Sequence, residues 1–110
     1  MKAIVYTKYG SPDVLQLQEI EKPTPKDNEI LIRIHVGTVT RGDVLMRGAG
    51  IGIRFVMLLL GFKQKKLPGH EFAGEVEAVG KDVKRFKKCD EVFGTTTGLV
   101  YGANAQYVCL

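Results

Sequence analysis

Two runs of strict two-residue alternation constrain this chain more than any other feature. In EILIRIHV, Ile30, Ile32, Ile34 and Val36 fall on one side and Leu31, Arg33 and His35 on the other. In EFAGEVEAVG, Phe72, Gly74, Val76, Ala78 and Gly80 alternate with Glu71, Ala73, Glu75, Glu77 and Val79. Successive side chains of an extended backbone point to opposite faces, so a period of two marks a half-buried β-strand. On this pattern His35 is a partly exposed strand residue rather than a ligand. The small residues Ala73, Gly74 and Ala78 point to a bend or a close backbone approach, as at a barrel corner.

The flanking segments extend the same reading. Residues 1–6 are β-rich, and VLQLQEI at 14–20 alternates like a half-buried strand, with SPD at 11–13 as the turn between them. Two prolines in EKPTPKDNE cannot donate ladder hydrogen bonds, which makes 21–29 a surface connection. After Gly37 the alternation stops. Thr40 is placed to N-cap a short helix with Asp43 three residues on, an arrangement like a capping box, and Gly48 ends it. Residues 49–66 read as one helix of about two or three turns with Gly61 near its end. The run at 51–62 has only 12 residues and contains Arg54, far below the ~20 needed to span a bilayer, so it is not a membrane helix. Its apolar residues lack amphipathic spacing, so its partner surface exceeds one face. DEVFG, a Gly/Thr-rich loop at 95–104 and a last strand AQYVCL complete the chain. Five or six strands with one helical insertion between Thr40 and Lys66 make a mainly β chain, a small, partly open β-barrel.

A chain of 110 residues with 45% hydrophobic content can build one core, which sets aside disorder and tandem arrays. The formal net charge of +4 is dispersed apart from Lys63, Lys65 and Lys66, and Lys81, Lys84, Arg85, Lys87 and Lys88. No aromatic platform is interleaved with either group, so both read as solvated turns and nucleic acid is not an expected partner. Cys89 and Cys109 form no C-x-x-C pair and no secretory segment precedes the first strand, so a reducing cytoplasm is the expected compartment, with a disulfide left open.

Four motifs in succession carry a resemblance that covers the whole chain: MKAIVYTKYGSPDVLQLQEIEKPTP, EILIRIHVGTVTRGDVLMRG, LPGHEFAGEVEAVGKDVKRFKKCDEVFG and GANAQYVCL. In this order and spacing they resemble the N-terminal catalytic domain of the medium-chain dehydrogenase/reductase superfamily, which implies a GroES-like barrel over residues 1–110. That family includes zinc alcohol dehydrogenases and zinc-free quinone oxidoreductases. Its Rossmann domain normally follows the barrel, and no G-x-G-x-x-G opening a helix occurs in this chain. The chain therefore reads as part of a longer enzyme, expected to be inactive alone.

The resemblance also implies site residues. Zinc members carry a Cys three residues before an Asp, and aligning on Asp43 puts Thr40 in that place, a poor zinc ligand beside a thiolate. His70 and Glu71 match the G-H-E motif that supplies the second ligand, so they are the residues that would serve if zinc were bound. The four-Cys structural lobe of many zinc members is missing. The expected chemistry is accordingly zinc-free hydride transfer from NADPH or NADH to a small carbonyl, alkene or quinone. Thr40, Asp43 and His70 are the expected catalytic residues, Thr40 donating to the substrate oxygen or to the nicotinamide end. His70 suits a proton donor because imidazole titrates near neutrality. The alternative for Thr40 and Asp43 is a helix cap alone, and for His70 a hydrogen bond within a turn. The resemblance to zinc alcohol dehydrogenases, or a GroES-like binding module using 51–62, remain the alternatives. A homo-oligomer is expected of the full-length protein, with 51–62 bordering the substrate cleft or a subunit contact. Cys89 stands where the family commonly has a glycine, which either tolerates the turn or strains it.

Overall fold

A computed structural model describes residues 1–61, 67–96 and 102–110. The cluster Lys63, Lys65 and Lys66, and the end of the expected second helix, lie outside the described residues. Among them the chain runs β1 (Lys2–Val5), a 3-10 turn at Pro12–Val14, β2 (Gln16–Glu19), β3 (Ile30–Gly37), α1 (Arg41–Arg47), α2 (Ile51–Leu59), β4 (Glu71–Val79), β5 (Glu91–Thr95) and β6 (Tyr107–Cys109).

The two alternating runs are β3 and β4, and they pair antiparallel from Ile30 opposite Val79 to Gly37 opposite Phe72. β5 extends the sheet beyond β4 and β6 flanks β3, in the order β5-β4-β3-β6. β1 and β2 form a separate antiparallel ribbon. A bridge between Ala3 and Ala105 and the bond from the Ile4 N–H to the Asn104 carbonyl, 2.9 Å, join that ribbon to the segment entering β6. The result is an unclosed barrel whose end strands β2 and β5 have no further ladder partner among the described residues.

The core lies on one face of the larger sheet, where Ile30, Ile32, Phe72, Val76, Ala103 and Val108 pack, with Ile34, Val83, Val92 and Leu110 against them. Gly74 shows the close approach expected of the small-residue strand: a Cβ there would be driven into the Arg33 carbonyl. Three expectations about burial need correction. Val36 does not continue the core face and is 62% exposed, because a register shift between Ile34 and Val36 breaks the alternation. Leu31, on the opposite face, is buried. β2 is not half-buried, since all four of its residues are exposed and Leu17 reaches 66%. It is the outer strand of the ribbon, and packs heavily on no element but β1.

The helical insertion is two helices. The Gly48 N–H bonds the Val44 carbonyl and closes α1, and α2 ends one residue before Leu60 and Gly61. Arg47 ties α1 to the loop after β1, its Nε donating to the Gly10 carbonyl at 3.1 Å while the Gly10 N–H bonds the Arg47 carbonyl. The Arg54 guanidinium lies 3.7 Å from the centre of the Tyr9 ring and holds α2 to that loop. Among the described residues no helix is long and apolar enough to cross a membrane.

Candidate functional site

Where β3 ends, Thr40 leaves helical geometry with φ −100° and ψ 166° and becomes the N-cap of α1. Its hydroxyl oxygen accepts from the Asp43 N–H at 3.4 Å, while Asp43 Oδ2 accepts from the Thr40 N–H at 2.8 Å and the Thr40 hydroxyl at 3.0 Å. This is the reciprocal capping box read from the spacing. The other oxygen, Asp43 Oδ1, turns to the Gly-His-Glu turn, 2.5 Å from His70 Nδ1 and accepting the Gly69 N–H at 3.0 Å.

Asp43 is only 7% exposed. Burial resists its ionisation, but the Thr40 N–H, the His70 ring and the Thr40 hydroxyl together outweigh it and hold the carboxyl below its ordinary 3.8. The group is ionised at neutral pH and, as a carboxylate, can only accept. His70 Nδ1 therefore carries a hydrogen toward it. Gly42 keeps the cluster tight: a Cβ there would stand 3.3 Å from Thr40 Oγ1 and 3.7 Å from His70 Cε1.

The turn is delivered to Asp43 by backbone. Gly69 has φ +106°, and a Cβ at this position would collide with the backbone of Ala103 and Asn104. Its carbonyl accepts from the Gly102 and Ala103 N–H groups at 3.2 and 3.3 Å, and the Pro68 carbonyl accepts from Asn104. Thr96, 1% exposed, donates its hydroxyl to the Gly69 carbonyl at 2.8 Å and reaches the His70 carbonyl at 3.2 Å.

The structure thus brings together Thr40, Asp43 and His70. It separates Glu71 from them: the Glu71 carboxylate accepts from the Thr38 hydroxyl at 2.7 Å, on the strand side of the turn. No three His, Cys, Asp or Glu residues converge as a metal cluster among the described residues. The donor set does not suit zinc, because both Asp43 oxygens are occupied by protein donors and no thiolate joins the group. Sequence reasoning missed Thr96, whose only signal was a place in the run TTT. Among the described residues, apolar recesses lie elsewhere, one of about 710 Å³ over Ile30, Ile32, Phe72 and Val92 and another of about 420 Å³ between Val36, Thr38, Glu71 and Phe93. Neither is lined by Thr40, Asp43 or His70.

An unclosed antiparallel barrel with a capped helix against a Gly-His-Glu turn defines a GroES-like domain. The chain belongs to the alcohol dehydrogenase GroES-like domain family, whose model matches residues 26–110, the N-terminal domain of the medium-chain dehydrogenase/reductase superfamily. A quinone oxidoreductase of Sus scrofa is 40% identical over 108 residues, 97% of this chain and 30% of that protein. The quinone oxidoreductase structure from Coxiella burnetii superposes with TM-score 0.83 at 32% identity, over 99% of this chain and 34% of that one. The Escherichia coli quinone oxidoreductase complexed with NADPH does so with TM-score 0.80 at 25% identity, over 100% of this chain and 31% of that one. The chain therefore spans about a third of the length of these relatives.

Proposed function

We propose that this chain is the substrate-side domain of an NAD(P)H-dependent oxidoreductase that reduces a small quinone, carbonyl or conjugated alkene without catalytic zinc. The reading is carried by the cluster around Asp43, where a threonine stands in the thiolate position and every Asp43 acceptor is used within the protein. Such a site orients hydrogen-bond donors and has no soft ligand to offer a metal.

A nicotinamide cofactor, when bound by the remainder of the full-length protein, supplies the hydride. Thr40 is half-buried as the N-cap of α1, and its hydroxyl is the donor that would meet the nicotinamide end or a substrate oxygen. Donating there requires the hydroxyl to turn from Asp43 Oδ2, which keeps the Thr40 N–H as a partner. The bond strengthens as negative charge develops on the substrate oxygen. His70 delivers the proton from Nε2 while Asp43 holds the ring through Nδ1.

The test uses the full-length protein, NADPH and 1,4-benzoquinone. Turnover should survive chelation and elemental analysis should find no stoichiometric zinc; one tightly held zinc per chain overturns the reading. Thr40→Val should lower turnover by roughly ten- to a thousand-fold and Thr40→Ser should retain most of it. A valine variant with normal turnover, destabilised by about 1 kcal/mol, would leave Thr40 as a helix cap alone.

A further inference from the structure

We propose that Thr96 is a positioning residue for His70, its hydroxyl clamping the two peptide groups on either side of the histidine so that the imidazole meets Asp43 through Nδ1. The inference rests on the proton-donor reading of His70 given above.

The chain path places Thr96 by strand register. Thr95 ends β5 opposite Glu71, the first residue of β4, so the next residue on one strand stands beside the residue before the other. There the Thr96 N–H meets the His70 carbonyl at 2.5 Å. The hydroxyl adds contacts to the Gly69 carbonyl at 2.8 Å and the His70 carbonyl at 3.2 Å, a three-centre arrangement of one hydrogen between two acceptors. Those two carbonyls belong to the peptide groups that flank the His70 Cα. Backbone N–H groups hold each carbonyl separately, and the hydroxyl adds the bond that couples the two, which narrows the backbone torsions of His70 and so the rotamers open to its ring.

Such a clamp matters because Gly69, at φ +106°, restrains nothing by its own sterics. Two donors reach Asp43 Oδ1 from this turn, the Gly69 N–H and His70 Nδ1, and both move if the turn pivots. Thr96 is among the most deeply buried side chains of the molecule, at 1% exposure. A buried hydroxyl needs a partner, and here the partners are the turn that carries the histidine.

Thr96→Val keeps the branched shape and removes the hydroxyl. No carbonyl is orphaned, since Gly69 keeps the Gly102 and Ala103 N–H groups and His70 keeps the Thr96 N–H. The fold should stand while the clamp is lost. The experiment takes the full-length protein labelled with 15N-histidine, with His70→Gln to assign the His70 signals, and reads the imidazole tautomer beside turnover on NADPH and 1,4-benzoquinone. Wild type should show the neutral ring protonated at Nδ1. Thr96→Val should give a tautomer mixture and lower kcat by about ten- to a hundred-fold with KM little changed, and Thr96→Ser should restore both. Thr96→Cys, whose thiol is a weak donor, provides the same readout should the valine variant not fold. An unchanged tautomer signature in Thr96→Val or Thr96→Cys overturns the proposal. A changed signature with unchanged turnover leaves Thr96 as the positioning residue and removes the proton role of His70 instead.

Discussion

A carboxylate at 7% exposure is costly unless its lone pairs are filled, and Asp43 fills them with the Thr40 N–H and hydroxyl, the Gly69 N–H and His70 Nδ1. Because its folded pKa lies below the unfolded value, the stability it contributes is present above pH 3.8 and lost as pH falls through the folded value. Asp43→Asn should therefore cost about 2–3 kcal/mol at neutral pH, and the gap to wild type should close only below pH 3.8. Denaturant midpoints taken across the acid range check this, and a gap that closes well above that pH would contradict it. Cys89 presents a different strain. It is the non-glycine residue with positive φ among those described, at +72°, and its N–H bonds the Val76 carbonyl at 2.8 Å. Cys89→Gly should retain that bond and relieve the left-handed penalty, raising stability by about 0.5–1 kcal/mol; a lower melting temperature would contradict the strain reading. Of these residues, the Thr40 and Asp43 cap was legible because capping is local, three residues apart. The bond from Asp43 to His70 spans 27 residues and no spacing rule reaches it. Thr96 was illegible for a further reason, since its partners are backbone carbonyls that any residue type would present.

At the scale of elements, period-two patterning located β3 and β4 to within a residue or so, yet it could not locate the register shifts that end the buried face before Val36. α2 carries the opposite difficulty. Its composition is that of a core helix, but Ile51, Ile53, Phe55, Leu58 and Leu59 are all more than half exposed. Among the described residues, the Arg54 guanidinium over the Tyr9 ring holds it to the loop after β1. Leu58→Ser with Leu59→Ser should then shift stability by no more than about 0.5 kcal/mol each, as surface substitutions do. Ile32→Ala, at a site 1% exposed between β4 and β6, should cost about 2–5 kcal/mol. Thermal melts of the two variants side by side give the comparison, and a collapsed melt for the serine pair would mean that α2 is packed in solution.

The same asymmetry governs the whole molecule. One sheet supplies the core, and among the described residues the far side of that core carries a recess of about 710 Å³ lined by Ile30, Ile32, Phe72, Val92 and Leu110, with Lys84, Arg85 and Glu91 among its other walls. A recess of this volume is within the range of ligand-sized cavities, and its apolar lining is in reach of a dye that reports exposed hydrophobic surface. The 110-residue chain should therefore enhance anilinonaphthalene sulfonate fluorescence while its near-UV dichroism is still native. The exposed leucines of α2 offer the dye a second surface, so the measurement is made on Leu58→Ser, Leu59→Ser as well as on wild type. Enhancement that persists in the serine pair locates the dye at the sheet, where Val92→Phe should diminish it by filling the recess. Loss of the signal in the serine pair would assign it to α2, and no enhancement in either protein would mean that the core face is closed in solution.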